Sequence, residues 1–183
     1  MRLRALLTLG VASLAATVAG CCETYVPPDQ SKFLPLASLQ FSGRAVARVY
    51  GAPIPIIGSF SIHTWVVTKR ADETTFHRWE IWRCPEENLG RVCMDSQAPA
   101  ADIGAGGTFV IAERIGADAE SIVAFVEERR SEYPFKATYV PVPGPNSNTF
   151  TQWVFDQTGW GMQLPTCAVG AAWDPLVGWP DTD

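Results

Sequence analysis

Two runs rich in β-branched and aromatic residues stand close together in this chain, residues 60–67 (FSIHTWVV) and 75–83 (TFHRWEIWR), joined by the polar stretch TKRADET. Such residues suit a pleated, half-buried surface, and a short polar turn between two of these runs makes an antiparallel hairpin. A hairpin alone is marginal in water, so this one needs further strands and a covering layer. Residues 43–50 (GRAVARVY) and 108–113 (TFVIAE) alternate well enough to add strands, and residues 136–142 read as another. Over 119–132 the period becomes helical: Ile122, Val123, Val126 and, one turn on, Tyr133 share a face, with Asp118 able to cap the start and Pro134 stopping the run. A second helix starts at Asn146 or Asn148, carries Phe150, Trp153 and Val154 on one face, and ends at Gly159. The expected fold is α+β, an antiparallel sheet of roughly four to six strands with two main helices packed on it.

The first 20 residues do not belong to that domain. Arg2 and Arg4 precede an apolar run of Ala, Leu and Val that ends in small residues, the pattern of an export signal. Its end, Val18-Ala19-Gly20-Cys21, resembles the bacterial lipobox, in which cleavage precedes the Cys and that Cys is acylated. An ordinary cleaved signal followed by a chance cysteine is the alternative. On the lipobox reading Cys21 carries lipid and holds the chain on a membrane, residues 21–42 form a Pro-rich tether, and residues 43–183 form one globular domain. Cys22 stands next, not Asp, which by resemblance to sorting rules in diderm bacteria implies the periplasmic face of the outer membrane. With 14 Lys+Arg against 19 Asp+Glu the formal charge is -5, and loss of Arg2 and Arg4 makes it -7. Nucleic acid is therefore not an expected partner, because phosphate binding needs a positive surface.

Export also changes how the cysteines read. Cys84 and Cys93 bracket a loop with Pro85 and Gly90, and an oxidising compartment favours a local disulfide there. Zinc is the competing reading. It needs two further ligands at a recognisable spacing, which Cys22, Cys167, His63 and His77 do not provide. Cys167 reads as a small buried residue, with a bridge to Cys22 left open. No phosphate loop, HExxH or pair of cysteine knuckles occurs, so no cofactor and no metal is expected.

Two stretches put polar side chains where a core wants none: Ser61-Ile62-His63-Thr64-Trp65 on a strand, and Gly144-Pro145-Asn146-Ser147-Asn148-Thr149-Phe150 at a helix start. A helix N-terminus supplies unpaired N–H groups and partial positive charge, so a nucleophile there gains an oxyanion site, and a facing strand histidine can be its base. Ser147 and His63 are the candidate pair, with Trp65, Asn146 and Asn148 as candidate binding residues beside them. Structural readings compete with each: His63 as a satisfied core histidine, Ser147 and both asparagines as helix caps, and the tryptophans as core. His77 reads as a strand residue at the solvent edge.

GSFSIHTW, TFHRWEIW and YPFKATYVPVPGPNSNTF resemble an uncharacterised bacterial family, a domain of unknown function of predicted exported proteins, over about Arg44 to the end of the chain. More distantly, the order of strand histidine and Asn-x-x-x-Phe helix start is similar to circularly permuted papain-like proteins of the NlpC and lecithin:retinol acyltransferase type. That likeness implies a helix opening on Asn followed by a nucleophilic Cys, and enzymes that cleave or transfer amide and acyl groups. Here Ser147 stands in the Cys place. A serine needs an orienting acid behind its base, and Glu80 is the candidate, because a turn centred between Ala71 and Asp72 sets it directly across from His63. The expectations are then a lipid-anchored binding or structural protein that keeps the cleft, a hydrolase or acyltransferase acting on an amide or ester of peptidoglycan, peptide or lipid, or a partner module for envelope assembly. A possible ligand is an envelope peptide, glycan or lipid.

Overall fold

The computed structural model describes residues 25–55, 61–82 and 90–173. The signal segment, Cys21, Cys22 and Cys84 lie outside the described residues. Five strands, β1 (Val46–Pro53), β2 (Ile62–Lys69), β3 (His77–Glu80), β4 (Cys93–Met94) and β5 (Phe109–Ile115), form one antiparallel sheet in the order β4-β3-β2-β1-β5. The helices are a single turn, α1 (Leu36–Leu39), and two longer ones, α2 (Ala117–Arg129) and α3 (Ser147–Thr158). The fold is α+β, as the alternation of periods implies.

β1 and β2 pair over their full length and are buried on both sides, so each side of the sheet has its own apolar cover. One side, with Val49, Val66 and Trp79, packs under Val123 and Val126 of α2 and Phe150 and Val154 of α3. The other, with Tyr50, Trp65, Val67 and Val110, is covered by Ile103 and by Phe33 and Leu36 from the N-terminal segment. That segment, part of the expected tether, is bonded to the domain. The Gln30 carboxamide accepts from Val110 N–H at 2.7 Å and donates to Val110 C=O at 3.1 Å, closing the outer edge of β5 as a strand would. Arg48 donates to the Leu34 carbonyl at 2.8 Å and to Glu113 through Nε at 2.6 Å.

Two local expectations fail. α2 is capped by Gly116, not Asp118: β5 ends at Ile115 and the chain turns into the helix through one residue at φ 77°, which glycine adopts without strain. Asp118 lies instead in the first helical turn, where its charge favours the helix dipole. Residues 136–142 form no strand. Pro141, Pro143 and Pro145 lack N–H donors, and one backbone bond, Val140 N–H to Pro145 C=O at 2.8 Å, closes this stretch into a loop. Gly159, at φ 63°, ends α3 as expected.

Candidate active site

The site forms where the sheet splits. The β2–β3 ladder spans Val66 to Thr68 on β2, so the start of β2 runs on without a β3 partner. The N-terminus of α3 fills the gap. Asn148 Oδ1 accepts from Thr64 N–H at 3.0 Å and from Thr64 Oγ1 at 2.9 Å, and its Nδ2 donates to Ile62 C=O at 2.9 Å and Val169 C=O at 2.9 Å. One side-chain amide thus satisfies two of the strand groups that β3 leaves behind, Thr64 N–H and Ile62 C=O, and it ties the helix start to β2 across 84 positions of sequence.

Asn146 is the N-cap. Its Oδ1 accepts from Asn148 N–H at 2.9 Å and from Thr149 N–H at 3.4 Å, while Thr149 Oγ1 accepts from Asn146 N–H at 3.0 Å, completing a capping box. Asn146 Nδ2 donates to Pro141 C=O and Val169 C=O, both at 3.0 Å. The cap reading of Ser147 is therefore corrected: it is the first helical residue, the cap stands one place earlier, and among the described residues no backbone N–H is bonded to its hydroxyl. The Ser147 N–H is not taken by the cap either, which leaves it as the donor that an oxyanion at this helix start can use.

His63 and Ser147 line one small cleft of about 70 Å³, together with Ile54, Trp82, Tyr139 and both asparagines. No hydrogen bond joins the hydroxyl to the imidazole among the described residues. Behind the ring, His63 Nε2 meets Glu80 Oε2 at 2.8 Å with both side chains buried, at 1% and 0% exposure. The pairing differs in register from the expected one. Val67 lies opposite Arg78, which sets Glu80 two residues from the position facing His63. A shift of two keeps a side chain on the same side of the sheet, so the pair forms on the diagonal.

Arg78 is the residue that the sequence reading missed. Fully buried, it reaches Glu80 through Nε at 2.7 Å and Nη2 at 2.8 Å, donates through Nη1 to the Ala98 and Ala101 carbonyls, and lies 3.9 Å over the Trp65 ring. Its signal was available: Arg78 and Glu80 are two apart on a strand and so share a side of the sheet. Ser96, which donates to Glu80 Oε1 at 2.8 Å from a loop, had no such signal.

Burial opposes the charge of both groups. It wins at His63, whose pKa lies below the ordinary value of 6.5 despite the hydrogen bond to Glu80. At Glu80 burial raises the pKa, but the hydrogen bonds from His63 and Arg78 outweigh it and hold the carboxyl below its usual range. Glu80 is thus the anion and accepts from Nε2–H of a neutral His63, which leaves Nδ1 as the basic nitrogen.

The candidate binding residues divide. Asn146 and Asn148 line the cleft with their amides committed to the backbone, so they build the site and offer no free polar group. Trp65 is fully buried, stacks on His63 with ring centroids 5.7 Å apart, and donates to Pro99 C=O at 2.8 Å; it supports the imidazole from behind and is closed to a ligand. His77 sits on the other side of the sheet at its edge, bonded to Asp95 at 2.7 Å. Cys167 is buried. Cys93 is half-buried on β4, and its expected partner Cys84 lies outside the described residues. Among the described residues no group of three or more His, Cys, Asp or Glu side chains could hold a metal ion, and no helix is long and apolar enough to cross a membrane.

Residues 44–173 match a family described as "Protein of unknown function (DUF3750)". The chain belongs to the DUF3750 family. The DUF3750 span takes in all five strands, α2, α3 and the whole of the site, whereas α1 and the rest of the N-terminal segment precede it. No curated protein and no solved structure matches the chain.

Proposed function

We propose that this DUF3750 protein is a lipid-anchored envelope enzyme, a hydrolase or acyltransferase acting on an ester or amide, with Ser147 as nucleophile, His63 as base and Glu80 as the group that orients the base. The observation that carries the reading is the His63–Glu80 hydrogen bond behind a cleft that His63 shares with Ser147. The arrangement is similar to what the permuted papain-like likeness implies, with serine in the place of cysteine. In the reaction Ser147 Oγ attacks the carbonyl carbon while His63 Nδ1 takes the hydroxyl proton. The tetrahedral oxyanion is met by the Ser147 N–H, and the proton passes from His63 to the leaving alcohol or amine. Water, or an acceptor hydroxyl or amine, then attacks the acyl-enzyme and gives its proton to His63, which returns it to Ser147 Oγ as the acyl–oxygen bond breaks.

A second reading, a binding or structural protein that keeps the cleft, is favoured by two observations: the cleft is small, and among the described residues no hydrogen bond joins Ser147 to His63. A fluorophosphonate probe separates the two. The enzyme reading expects covalent labelling at Ser147 that Ser147→Ala abolishes and His63→Ala slows at least tenfold; no labelling of a folded wild-type chain supports the binding reading.

The location proposed is the periplasmic face of the outer membrane, through lipid on Cys21, with three acyl chains together holding far more firmly than one at about 0.8 kcal/mol per buried methylene. Metabolic labelling with an alkyne fatty acid tests this, since Cys21→Ser should lose the label; equal labelling of both proteins refutes it. The Cys84–Cys93 disulfide belongs to the same proposal, and two free thiols there in protein purified from the envelope would remove it.

A further inference from the structure

The end of the sheet that carries the cleft is also the end at which the chain enters the domain. Tyr25 packs its ring on Phe109, centroids 6.0 Å apart, and Phe109 is paired with Gly51 on β1. The next residue on β1, Ala52, is paired with His63. The same corner is closed by Cys167, whose carbonyl accepts from Ile62 N–H at 3.0 Å. Tyr25 is held against this corner: burial, with Cys167 adding to it, pushes the phenol up to about 12.

Cys21 precedes Tyr25 by four residues. Four residues of fully extended chain reach at most ~14 Å, so a lipid on Cys21 cannot lie farther than that from the docked Tyr25. A tether of this length does not lift the domain off a bilayer; it draws one particular end of it down. That end presents apolar side chains to solvent, Val26 at 82% exposure and Val142, at 48%, beside the cleft residue Pro141. Among the described residues the other strongly exposed apolar side chains lie elsewhere. Leu34, at 54%, is the residue whose carbonyl accepts from Arg48, midway along β1. Phe41, at 78%, leads into β1 from the opposite end, where Val46 pairs with Lys69 and Ile115, and Met94, at 52%, is on the far edge strand β4.

We propose that the domain seats on a phospholipid bilayer by the cleft end of its sheet, with Val26 and Val142 at the headgroup boundary, so that the cleft takes ligands presented at the membrane surface. The inference rests on the reading of Cys21 as the lipid-bearing residue. Amphipathic surfaces bind a bilayer weakly unless a second signal holds them there, and the acyl chains are that signal.

The test uses the full lipidated chain in vesicles of phosphatidylethanolamine and phosphatidylglycerol, with an environment-sensitive fluorescent amino acid placed at position 26, 142, 41 or 94 in turn. All four positions are exposed, so the replacement leaves the core intact. The expected result is co-flotation with the vesicles and a blue shift of emission at 26 and 142, with 41 and 94 keeping the emission they have in detergent-free buffer after lipid removal. Co-flotation with no shift at 26 and 142, or with a larger shift at 41 or 94, overturns the seating and leaves the lipid anchor standing. Failure of the processed wild-type chain to float overturns the anchor, and the seating with it.

Discussion

His63 Nε2 and Glu80 Oε2 lie 2.8 Å apart on the diagonal of the β2–β3 pair, not directly across it. The diagonal is long for two ordinary side chains but within reach of a histidine and a glutamate, and it turns the ring so that Nε2 points along the sheet to the acid. Trp65 stacks on one side of this pair, Trp82 lies 5.0 Å from the ring centroid, and Arg78 holds the acid from behind. An imidazole so enclosed keeps one orientation, which is what a general base at a helix start requires.

Removing the acid should cost stability as well as function. Glu80→Gln leaves Arg78 fully buried without its counter-charge, and breaking one side of such a pair costs about 3–5 kcal/mol. Urea denaturation measures it. A loss under about 1 kcal/mol, the range of exposed pairs, would mean that water reaches Arg78 and that the pair does not fix the ring.

Acid should destabilise the fold in two stages. The unfolded chain protonates its histidine near 6.5, whereas burial keeps folded His63 neutral to lower pH, so the unfolded state binds more protons and stability falls as pH drops below about 6.5 until the folded pKa is passed. Glu80, held below its ordinary 4.5, adds a loss that is absent above that value and grows as pH falls through it. His63→Ala should flatten the first stage and, by removing a hydrogen bond that helps hold the Glu80 carboxyl down, shrink the second. A wild-type stability independent of pH from 6.5 down to about 5 would contradict a neutral buried His63.

Asn148 is expected to matter to folding before it matters to any ligand. Asn148→Ala strands Thr64 N–H and Ile62 C=O in a buried place, and each unsatisfied buried group costs about 1–3 kcal/mol. Asn148→Asp restores the acceptor for Thr64 but not the donor for Ile62, so it should also destabilise. Thermal unfolding of both variants checks these losses, and an unchanged midpoint for Asn148→Ala would show that the amide does not close the split in the sheet.

Gly170→Ala probes the other side of the same helix start. Gly170 has φ 93°, and a Cβ there would stand 2.4 Å from Asn146 Nδ2, displacing the cap. A drop in stability of about 2 kcal/mol or more is expected, from backbone strain of about 1–3 kcal/mol and the lost cap together. Retention of the wild-type midpoint would mean that the cap and the 165–171 loop move independently.

The hairpin, the start of α3 and the α+β class were legible because each rests on short-range periodicity and on turn or cap chemistry within a few residues; the start of α2 was not, since its cap is Gly116 and not Asp118. The pairing register was not, since TKRADET fixes no unique turn centre and β3 adds only three ladder pairs to discriminate. Residues 136–142 alternate like a strand but form none, because Pro141, with Pro143 and Pro145 just beyond, lacks the N–H a ladder needs. The N-terminal segment looked like a linker by composition, yet the bonds that dock it, from Gln30 to Val110 and from Arg48 to Leu34, span 80 and 14 positions, beyond the reach of a local pattern. Of the site, the helix-start motif was visible as polar residues in an apolar setting; that Asn146 and Asn148 serve the backbone and leave Ser147 uncommitted emerges only from the tertiary contacts.

The most direct test of the site is the ionisation of a thiol placed at position 147. Ser147→Cys should give a thiol whose alkylation by iodoacetamide follows a pKa well below the free value of ~8.5, because the helix start and His63 both favour the thiolate, and His63→Ala in that background should raise the pKa and slow the reaction at neutral pH. A thiol in a folded protein that titrates near ~8.5 and is indifferent to His63 would contradict the assignment of Ser147 as nucleophile.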